Sequence, residues 1–213
     1  MELIAHRAGN LAELVGPAAA AADAIELDVH LYRNRLEVRH AKLLLWPFAR
    51  TWEKWELLGS DAPRPSLDAI LDHVPDGVHL WFDLKGFTTR LPRSVHRTIQ
   101  RDGGERAEVT YSCRAWWVLG WVRSHTDART MKSVGNRWQR WLVTRTAFDG
   151  VHGVVIHERL LDDGWIGRLH AVTPTVVAWG VSDRARAEEL IDAGITGLIL
   201  DDLELIGSLR DTG

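Results

Sequence analysis

Cysteine is almost absent from this chain, which has one in 213 residues, Cys113. A lone cysteine cannot form a disulfide within the chain, so we expect Cys113 to fill a core position in a reducing compartment. No apolar run approaches the roughly 20 residues that span a bilayer, and we expect no signal peptide after Met1. These absences predict a cytoplasmic protein without a transmembrane segment. They leave peripheral contact with a membrane surface open.

Dense basic runs are lacking too. The 26 Lys and Arg residues are spread along the chain against 29 Asp and Glu, for a net charge of -3. Nucleic acid is therefore a poor default partner. Tryptophan is the residue in excess, with 11 copies. We expect most of these rings to pack in the core or in loops, because each carries a large apolar area.

Short apolar runs alternate with longer helical patterns along the whole chain. Leu11–Ala22 is a helix-like, alanine-rich stretch, and apolar residues recur at helical spacing in the stretch that begins at Ser66. Because each predicted strand precedes a helix, the sequence predicts the α/β class and one domain, residues 1–213, built as a single (β/α)8 TIM-type barrel with shortened loops. A doubly wound sheet is the alternative, since periodicity does not show closure. The eight predicted strands lie near Leu3–Ala5, Ile25–Asp28, His79–Leu84, Ala107–Tyr111, Arg129–Ser133, His152–Ile156, Thr175–Ala178 and Gly197–Leu200.

Two local features complete the predicted organisation. Ser182 has the position of an N-cap for a helix over Arg184–Asp192, with Gly194 just past its end. The connection Leu36–Pro65 is longer than a simple βα loop, and its segment Leu43–Trp55 is rich in Leu and Trp. We interpret that segment either as an apolar plug at the barrel mouth or as a lip for a greasy substrate.

Chemically active side chains gather at the predicted ends of the first three strands. Catalytic residues of a barrel lie at the carboxyl ends of its strands, where neighbouring ends converge. We therefore expect these six residues to face one another: His6, Arg7, Glu26, Asp28, Asp83 and Lys85.

Three of these residues are carboxylates. Glu26 and Asp28 are two apart on one strand and share a face, and Asp83 ends the adjacent strand. Such carboxylates repel one another unless a cation or a proton intervenes. Oxygen ligands suit a hard divalent cation, Mg²⁺ or Ca²⁺, better than zinc, for which no paired Cys/His spacing occurs.

The other residues suit chemistry on a phosphate. An arginine fork at Arg7 and an ammonium group at Lys85, beside a bound cation, would clamp a phosphate. His6 and His40 titrate near neutrality, as general acid–base catalysis requires. His40 follows the extended run Leu36–Arg39, and a chain that turns back there would bring it over the same mouth.

This combination resembles the signature of the glycerophosphodiester phosphodiesterases. The matching motifs are His6-Arg7 after the first strand, Glu26-Leu27-Asp28 after the second, His40 some residues on, and Asp83-Leu84-Lys85 after the third. Weaker similarity continues through Tyr111-Ser112, Thr175–Val181 and Gly197–Asp201. The resemblance therefore extends over nearly the whole chain.

The resemblance implies a metal-dependent hydrolase that converts glycerophosphodiesters to glycerol phosphate and an alcohol. It implies that Glu26, Asp28 and Asp83 hold one divalent cation, Mg²⁺ or Ca²⁺. It makes His6 and His40 the acid–base pair. In the same way, Arg7 and Lys85 would bind the substrate phosphate, and Trp179 would line the pocket.

The chain departs from the family pattern at several positions. The usual His-Arg-Gly is His6-Arg7-Ala8, with Gly9 one place later, and Asn10 is the one candidate remnant of the usual Pro-Glu-Asn-Thr. Asp83 stands where most members have Glu, which resembles the related sphingomyelinase D-like phospholipases. The alternative functions are thus a phospholipase D-like hydrolase of lysophospholipids and an inactive phosphate-binding homologue. Metal-independent phosphoinositide lyases fit less well, because three carboxylates would serve them poorly.

Overall fold

The computed structural model describes residues 1–40, 42–44, 50–53, 56–58, 64–103, 108–146, 148 and 150–211, with backbone alone for those between 42 and 58 and for residue 163. Its strands, in chain order, are β1 (Glu2–Ala5), β2 (Ala24–Tyr32), β3 (Arg35–Val38), β4 (Lys42–Leu44), β5 (Arg50–Glu53), β6 (Glu56–Leu58), β7 (His79–Leu84), β8 (Val109–Cys113), β9 (Arg129–Val134), β10 (Gly153–His157), β11 (Thr175–Val181) and β12 (Gly197–Leu200). Its α-helices are α1 (Ala12–Ala21), α2 (Leu67–Leu71), α3 (Arg90–Asp102), α4 (Leu119–His125), α5 (Arg137–Val143), α6 (Asp163–His170), α7 (Arg184–Asp192) and α8 (Leu203–Arg210).

Eight of the strands form a closed parallel barrel, and a helix follows each of them. The order runs β1, β2, β7, β8, β9, β10, β11 and β12, and β12 pairs back with β1. The predicted (β/α)8 barrel is confirmed, and the doubly wound alternative is excluded by this closure. All eight predicted strands are present, although β8 lies two residues further along the chain than its predicted start, and β2 runs on to Tyr32.

Side chains on each barrel strand alternate between two apolar cores, one between the strands and the helices and one inside the barrel. Ile25 and Leu27 on β2 face the helices, and Phe82 on β7 does the same. The barrel interior is filled instead by a second cluster of apolar side chains, with Trp179 packed against it: Ile4, Ala24, Trp81, Met131, Val155, Val177 and Ile199. Because Glu26, Asp28 and Asp83 have the inward parity of Trp81 in paired strands, they continue the inner layer toward the mouth.

The connection between β2 and β7 adds strands that the sequence did not predict. β3 pairs antiparallel with β2, and β4, β5 and β6 form a separate three-stranded antiparallel sheet. Whether Leu43–Trp55 is a plug or a lip depends on side chains that lie outside the described residues, so both interpretations stay predictions.

The predicted N-cap of α7 was wrong by one residue. Asp183 is the N-cap, and its side chain accepts a hydrogen bond from the backbone N–H of Arg186. A carboxylate caps as well as a hydroxyl and is also favoured by the helix dipole, which explains the choice of Asp183 over Ser182. Gly194 follows the helix end with φ +94°, as predicted. Cys113 is buried, also as predicted.

Candidate active site

Three carboxylates meet at the mouth of the barrel. Glu26, Asp28 and Asp83 each offer one oxygen atom, and these atoms all lie within 4.8 Å of one another. The strand register produces this arrangement, because Asp28 on β2 is paired with Asp83 on β7. Glu26 and Asp28 are buried, so little water screens their mutual repulsion.

The pKa values of Glu26 and Asp28 are shifted in opposite directions. Burial, together with the charge of Asp28, raises the pKa of Glu26 to about 8. Burial would also raise the pKa of Asp28, but the adjacent Lys85 ammonium and the hydrogen bond from Asn10 hold that pKa below its usual value. Burial and the neighbouring carboxylates thus favour the protonated form of Glu26 unless a cation offsets their charge.

The donor set fits a hard divalent cation. Three carboxylate oxygens with a common focus are the type of ligand that Mg²⁺ and Ca²⁺ prefer. A cation there would replace the proton of Glu26 and offset the repulsion that raises its pKa. Among the described residues, no other group of three His, Cys, Asp or Glu side chains converges in this way. The three carboxylates that the sequence predicts as metal ligands thus converge in the structure.

Two basic side chains border the carboxylates. Lys85 Nζ lies 2.8 Å from Asp28 Oδ1 and also forms an ion pair with Asp83. Burial would lower the pKa of Lys85, but these carboxylates raise it, so the amine stays charged. Arg7 Nε lies 3.7 Å from Asp28 Oδ2.

The backbone at Arg7 adopts the left-handed conformation, with φ 53°. This turn directs the Arg7 N–H to Glu26, whose Oε2 accepts it at 2.7 Å. Two residues later, a Cβ at Gly9 would overlap the Leu27 side chain, so only glycine lets the turn pack this closely on β2. The strain at Arg7 is thus coupled to the position of a carboxylate, a pattern common at functional sites.

The two predicted histidines border the same cleft. His6 Nδ1 lies 2.7 Å from Oδ1 of Asp201, the residue that follows β12. Burial would lower the pKa of His6, but the hydrogen bond to Asp201 and the charge of Glu26 raise it above its ordinary value. His40 lines the cleft, and its charge contributes to the lowered pKa of Asp28.

Several residues that the sequence did not assign to the site support it. Asn10 bridges to Asp28 twice, because its Nδ2 donates to Asp28 Oδ2 and its Oδ1 accepts from the Asp28 N–H, both at 2.9 Å. Ser112 Oγ donates to Asp83 Oδ1 at 2.9 Å and accepts from Trp81 Nε1 at 3.1 Å. Functional residues of a barrel lie at the carboxyl ends of its strands, and we call this the strand-end rule. Applied to every strand, it would have found Ser112 and Asp201. Nothing in the sequence indicates the two hydrogen bonds between Asn10 and Asp28.

The cleft brings the predicted side chains together. His6, Arg7, Glu26, His40, Asp83, Lys85 and Trp179 all line it, and Asp28 contacts Lys85 beneath them. Arg114 and Ser133 line it as well, although the sequence analysis did not name them. Trp179 has His157 beside it, with 4.3 Å between ring centroids, and Arg114 over its ring at 5.8 Å.

Solved structures share this architecture over the full length of the chain. A protein from Agrobacterium tumefaciens assigned to the glycerophosphoryl diester phosphodiesterases superposes with a TM-score of 0.78 and 17% identity, covering 100% of this chain and 98% of that one. An Oleispira antarctica phosphodiesterase in complex with its product sn-glycerol-3-phosphate gives 0.76 and 17%, covering 99% and 97%. The chain shares its (β/α)8 barrel fold with these proteins.

A more distant match extends the comparison. A calcium-dependent phosphoinositol-specific phospholipase C from a Pseudomonas species gives a TM-score of 0.56 with 12% identity, covering 93% of this chain and 87% of that one. No family model and no curated protein matches the sequence. The resemblance noted in the sequence is thus confirmed at the level of the fold. Within the described part of the chain, no helix has both the length and the apolar character to cross a membrane.

Proposed function

We propose that this protein is a metal-dependent phosphodiesterase that hydrolyses glycerophosphodiesters to glycerol phosphate and an alcohol. The observation that carries this proposal is the convergence in one cleft of three carboxylates, two cationic side chains and two histidines. The fold shared with phosphodiesterases, one of them bound to sn-glycerol-3-phosphate, supports it.

Glu26, Asp28 and Asp83 would hold one divalent cation, Mg²⁺ or Ca²⁺. A bound cation would offset the negative charge of the phosphate and of the transition state. Asn10 and Ser112 orient two of these carboxylates by hydrogen bonds, and such supporting contacts typically change metal affinity by roughly 10–100-fold.

Arg7 and Lys85 position the substrate phosphate. Both lie against the carboxylates and reach the cleft, so their charges are available to an anion that enters it. The planar guanidinium of Arg7 can contact two phosphate oxygens at once, whereas Lys85 acts as a compact charge. Together they would fix the phosphorus atom between the two histidines.

His6 and His40 transfer the protons. When the Asp201 carboxylate accepts the Nδ1–H of His6, the remaining nitrogen, Nε2, is the atom that exchanges a proton with substrate. One histidine takes the proton of the attacking hydroxyl, and the other gives a proton to the leaving oxygen. A hydroxyl adjacent to the phosphate in the substrate would attack first and give a cyclic phosphate, which water then opens.

A phospholipase D-like hydrolysis of lysophospholipids is the second candidate. Asp83, in place of the more usual Glu, favours it by resemblance to the sphingomyelinase D-like enzymes. Both activities would release an alcohol headgroup. They differ in the other product, which is glycerol phosphate from a water-soluble diester and an acylated glycerol phosphate from a lysophospholipid.

Product analysis distinguishes these functions. We expect mass spectrometry of reactions with glycerophosphodiesters and lysophospholipids, with Mg²⁺ or Ca²⁺ added, to show glycerol phosphate from the first group. Choline released from lysophosphatidylcholine, with glycerophosphocholine left intact, would support the second candidate. No product from any diester, by protein whose fold and metal binding are verified, would contradict both and identify an inactive phosphate-binding homologue.

A further inference from the structure

Four large aromatic side chains are exposed around one side of the barrel mouth. Phe87 is 76% exposed, Trp117 66%, Trp138 65% and Trp141 40%. They follow β7, β8 and β9, which are neighbours in the barrel, so the four residues border one sector of the mouth. We call them the aromatic rim. Exposed aromatic groups concentrated in this way mark a surface that contacts something apolar.

The rim is held together by its own contacts. Trp117 Nε1 donates a hydrogen bond to the Phe87 carbonyl at 3.1 Å, which joins the loops after β7 and β8. Trp138 and Trp141 stack with 4.8 Å between ring centroids. The guanidinium of Arg145 lies 4.3 Å from the Trp141 ring centroid. The rings of Trp138 and Trp141 thus already contact one another, while much of each of the four side chains stays open to solvent.

The charge around the rim has one sign. No Asp or Glu occurs in residues 84–101, 109–126 or 128–148, although the whole chain has a net charge of -3. These stretches contain the loops after β7, β8 and β9, the strands β8 and β9, the helices α4 and α5, and α3 up to Arg101. The exposed basic side chains near the rim are Arg90, Arg114, Arg137 and Arg145. Acidic residues occur instead at the opposite end of the barrel, as Asp102, Glu108 and Asp127, where these helices end and the next strands begin.

We propose that the aromatic rim docks the barrel mouth onto a lipid bilayer that contains anionic phospholipid. Tryptophan partitions to the membrane interface because its ring is apolar while its N–H remains polar. Arginine side chains near the tryptophans are attracted by the negative surface potential of anionic lipid. The rim follows β7, β8 and β9 at the same end of the barrel as the cleft, and Arg114 lines the cleft itself, so docking would bring the cleft toward the lipid headgroups.

A nucleic acid would also match the positive charge, but it fits the aromatic side chains of the rim less well than a lipid bilayer does. Single-stranded chains bind by stacking bases on open aromatic faces. Trp138 and Trp141 instead stack on each other, and Arg145 lies over Trp141. Their exposed surface suits shallow insertion among lipid headgroups.

The proposal predicts which substrates the enzyme meets. It rests on the proposed phosphodiesterase only for this consequence, because binding to the bilayer needs no catalysis. A phosphodiester headgroup at the membrane surface would lie at the open side of the cleft, which would favour lipid substrates over freely diffusing ones.

Co-sedimentation with vesicles tests the docking surface. We expect the full-length protein to bind vesicles of phosphatidylcholine with phosphatidylglycerol more tightly than vesicles of phosphatidylcholine alone. Replacing Trp117 and Trp138 by Ser, or Arg137 and Arg145 by Glu, should weaken that binding about tenfold or more. Hydrolysis of a water-soluble glycerophosphodiester should stay at the wild-type rate in both variants, so a failure of docking and a failure of catalysis are read separately.

A matched control carries the same charge change on the opposite end of the barrel. Arg123→Glu with Arg168→Glu alters the last turns of α4 and α6 and should leave vesicle binding unchanged. Failure of the wild-type protein to bind either type of vesicle would overturn the proposal. Vesicle binding by the Trp117/Trp138 and Arg137/Arg145 variants at the wild-type level would overturn it as well. Binding of single-stranded DNA or RNA through Arg137 and Arg145, with no binding to vesicles, would assign the surface to nucleic acid instead.

Discussion

The Nδ1 atom of His6 lies 2.7 Å from Oδ1 of Asp201, so the residue after the last barrel strand holds the histidine after the first. β1 and β12 are paired with Ala5 opposite Leu200, which brings the two side chains together. Closure of the barrel thus creates a contact between residues 195 positions apart in the chain. In the proposed mechanism, Asp201 would act as a positioning residue for His6.

Replacing Asp201 tests this contact. The hydrogen bond to Asp201 helps to raise the pKa of His6, so Asp201→Asn should lower that pKa. We expect the limb of the pH–rate profile that reports His6 to move to lower pH, with kcat reduced. Asp202→Asn, which alters the N-cap of α8 and not the histidine, is the control. An unchanged profile in Asp201→Asn would mean that this contact does not tune His6.

The two histidines should be separable from metal binding. His6→Ala and His40→Ala should each lower kcat by about 10²–10⁴-fold, because each removes one proton-transfer group. Metal affinity, measured by calorimetry, should change little. His170→Ala is the control, since His170 contacts the Gly194 carbonyl and not the cleft. Near-normal turnover of His40→Ala would remove His40 from the mechanism and make His157, beside Trp179, the next candidate.

Arg7 offers a test of geometry against charge. Arg7→Lys keeps the positive charge but loses the planar fork, so we expect kcat/KM to fall on every active diester. The control Arg97→Lys, at an exposed position on α3, should leave kcat/KM unchanged. Wild-type efficiency of Arg7→Lys would show that a fork is not required at this position.

Asn10 links the first loop to a carboxylate through two hydrogen bonds. Asn10→Ala should lower the free energy of unfolding by about 1–3 kcal/mol, because polar groups of Asp28 lose their partners. It should also weaken metal binding by roughly 10–100-fold. Denaturant unfolding and calorimetry measure the two effects, with exposed Gln100→Ala as the control. If neither quantity changes, water replaces Asn10 adequately.

Much of the barrel follows from local sequence patterns. Apolar runs such as His79–Leu84 and Gly197–Leu200 match β7 and β12 residue for residue, because strands buried on both faces read as continuous apolar segments. The strand-end rule then brought the carboxylates, cations and His6 together correctly. The helix-cap assignment failed by one residue. Ser182 was predicted as the N-cap of α7, but Asp183 is the cap, and both residue types are favourable at that position.

Contacts that depend on unusual backbone could not be predicted in this way. The sequence gives no sign of the left-handed turn at Arg7 that directs its backbone N–H to Glu26. Asp201 at the end of β12 was overlooked, although the predicted barrel already brings that strand beside β1. The antiparallel strands β3 to β6 were missed because the segment reads as an irregular apolar loop. The exposure of the rim tryptophans was not predicted, because composition does not distinguish a buried tryptophan from an exposed one.

The most direct test of the central claim is phosphodiester hydrolysis by chelator-treated protein, before and after Mg²⁺ or Ca²⁺ is added back. Residual metal should be verified by mass spectrometry. Because Glu26, Asp28 and Asp83 leave an anionic group that favours a cation, we expect activity to vanish on chelation and to return with the cation. Glu26→Gln should need more cation for the same rate. Full activity of wild-type protein in excess chelator, with no metal detected, would contradict the account.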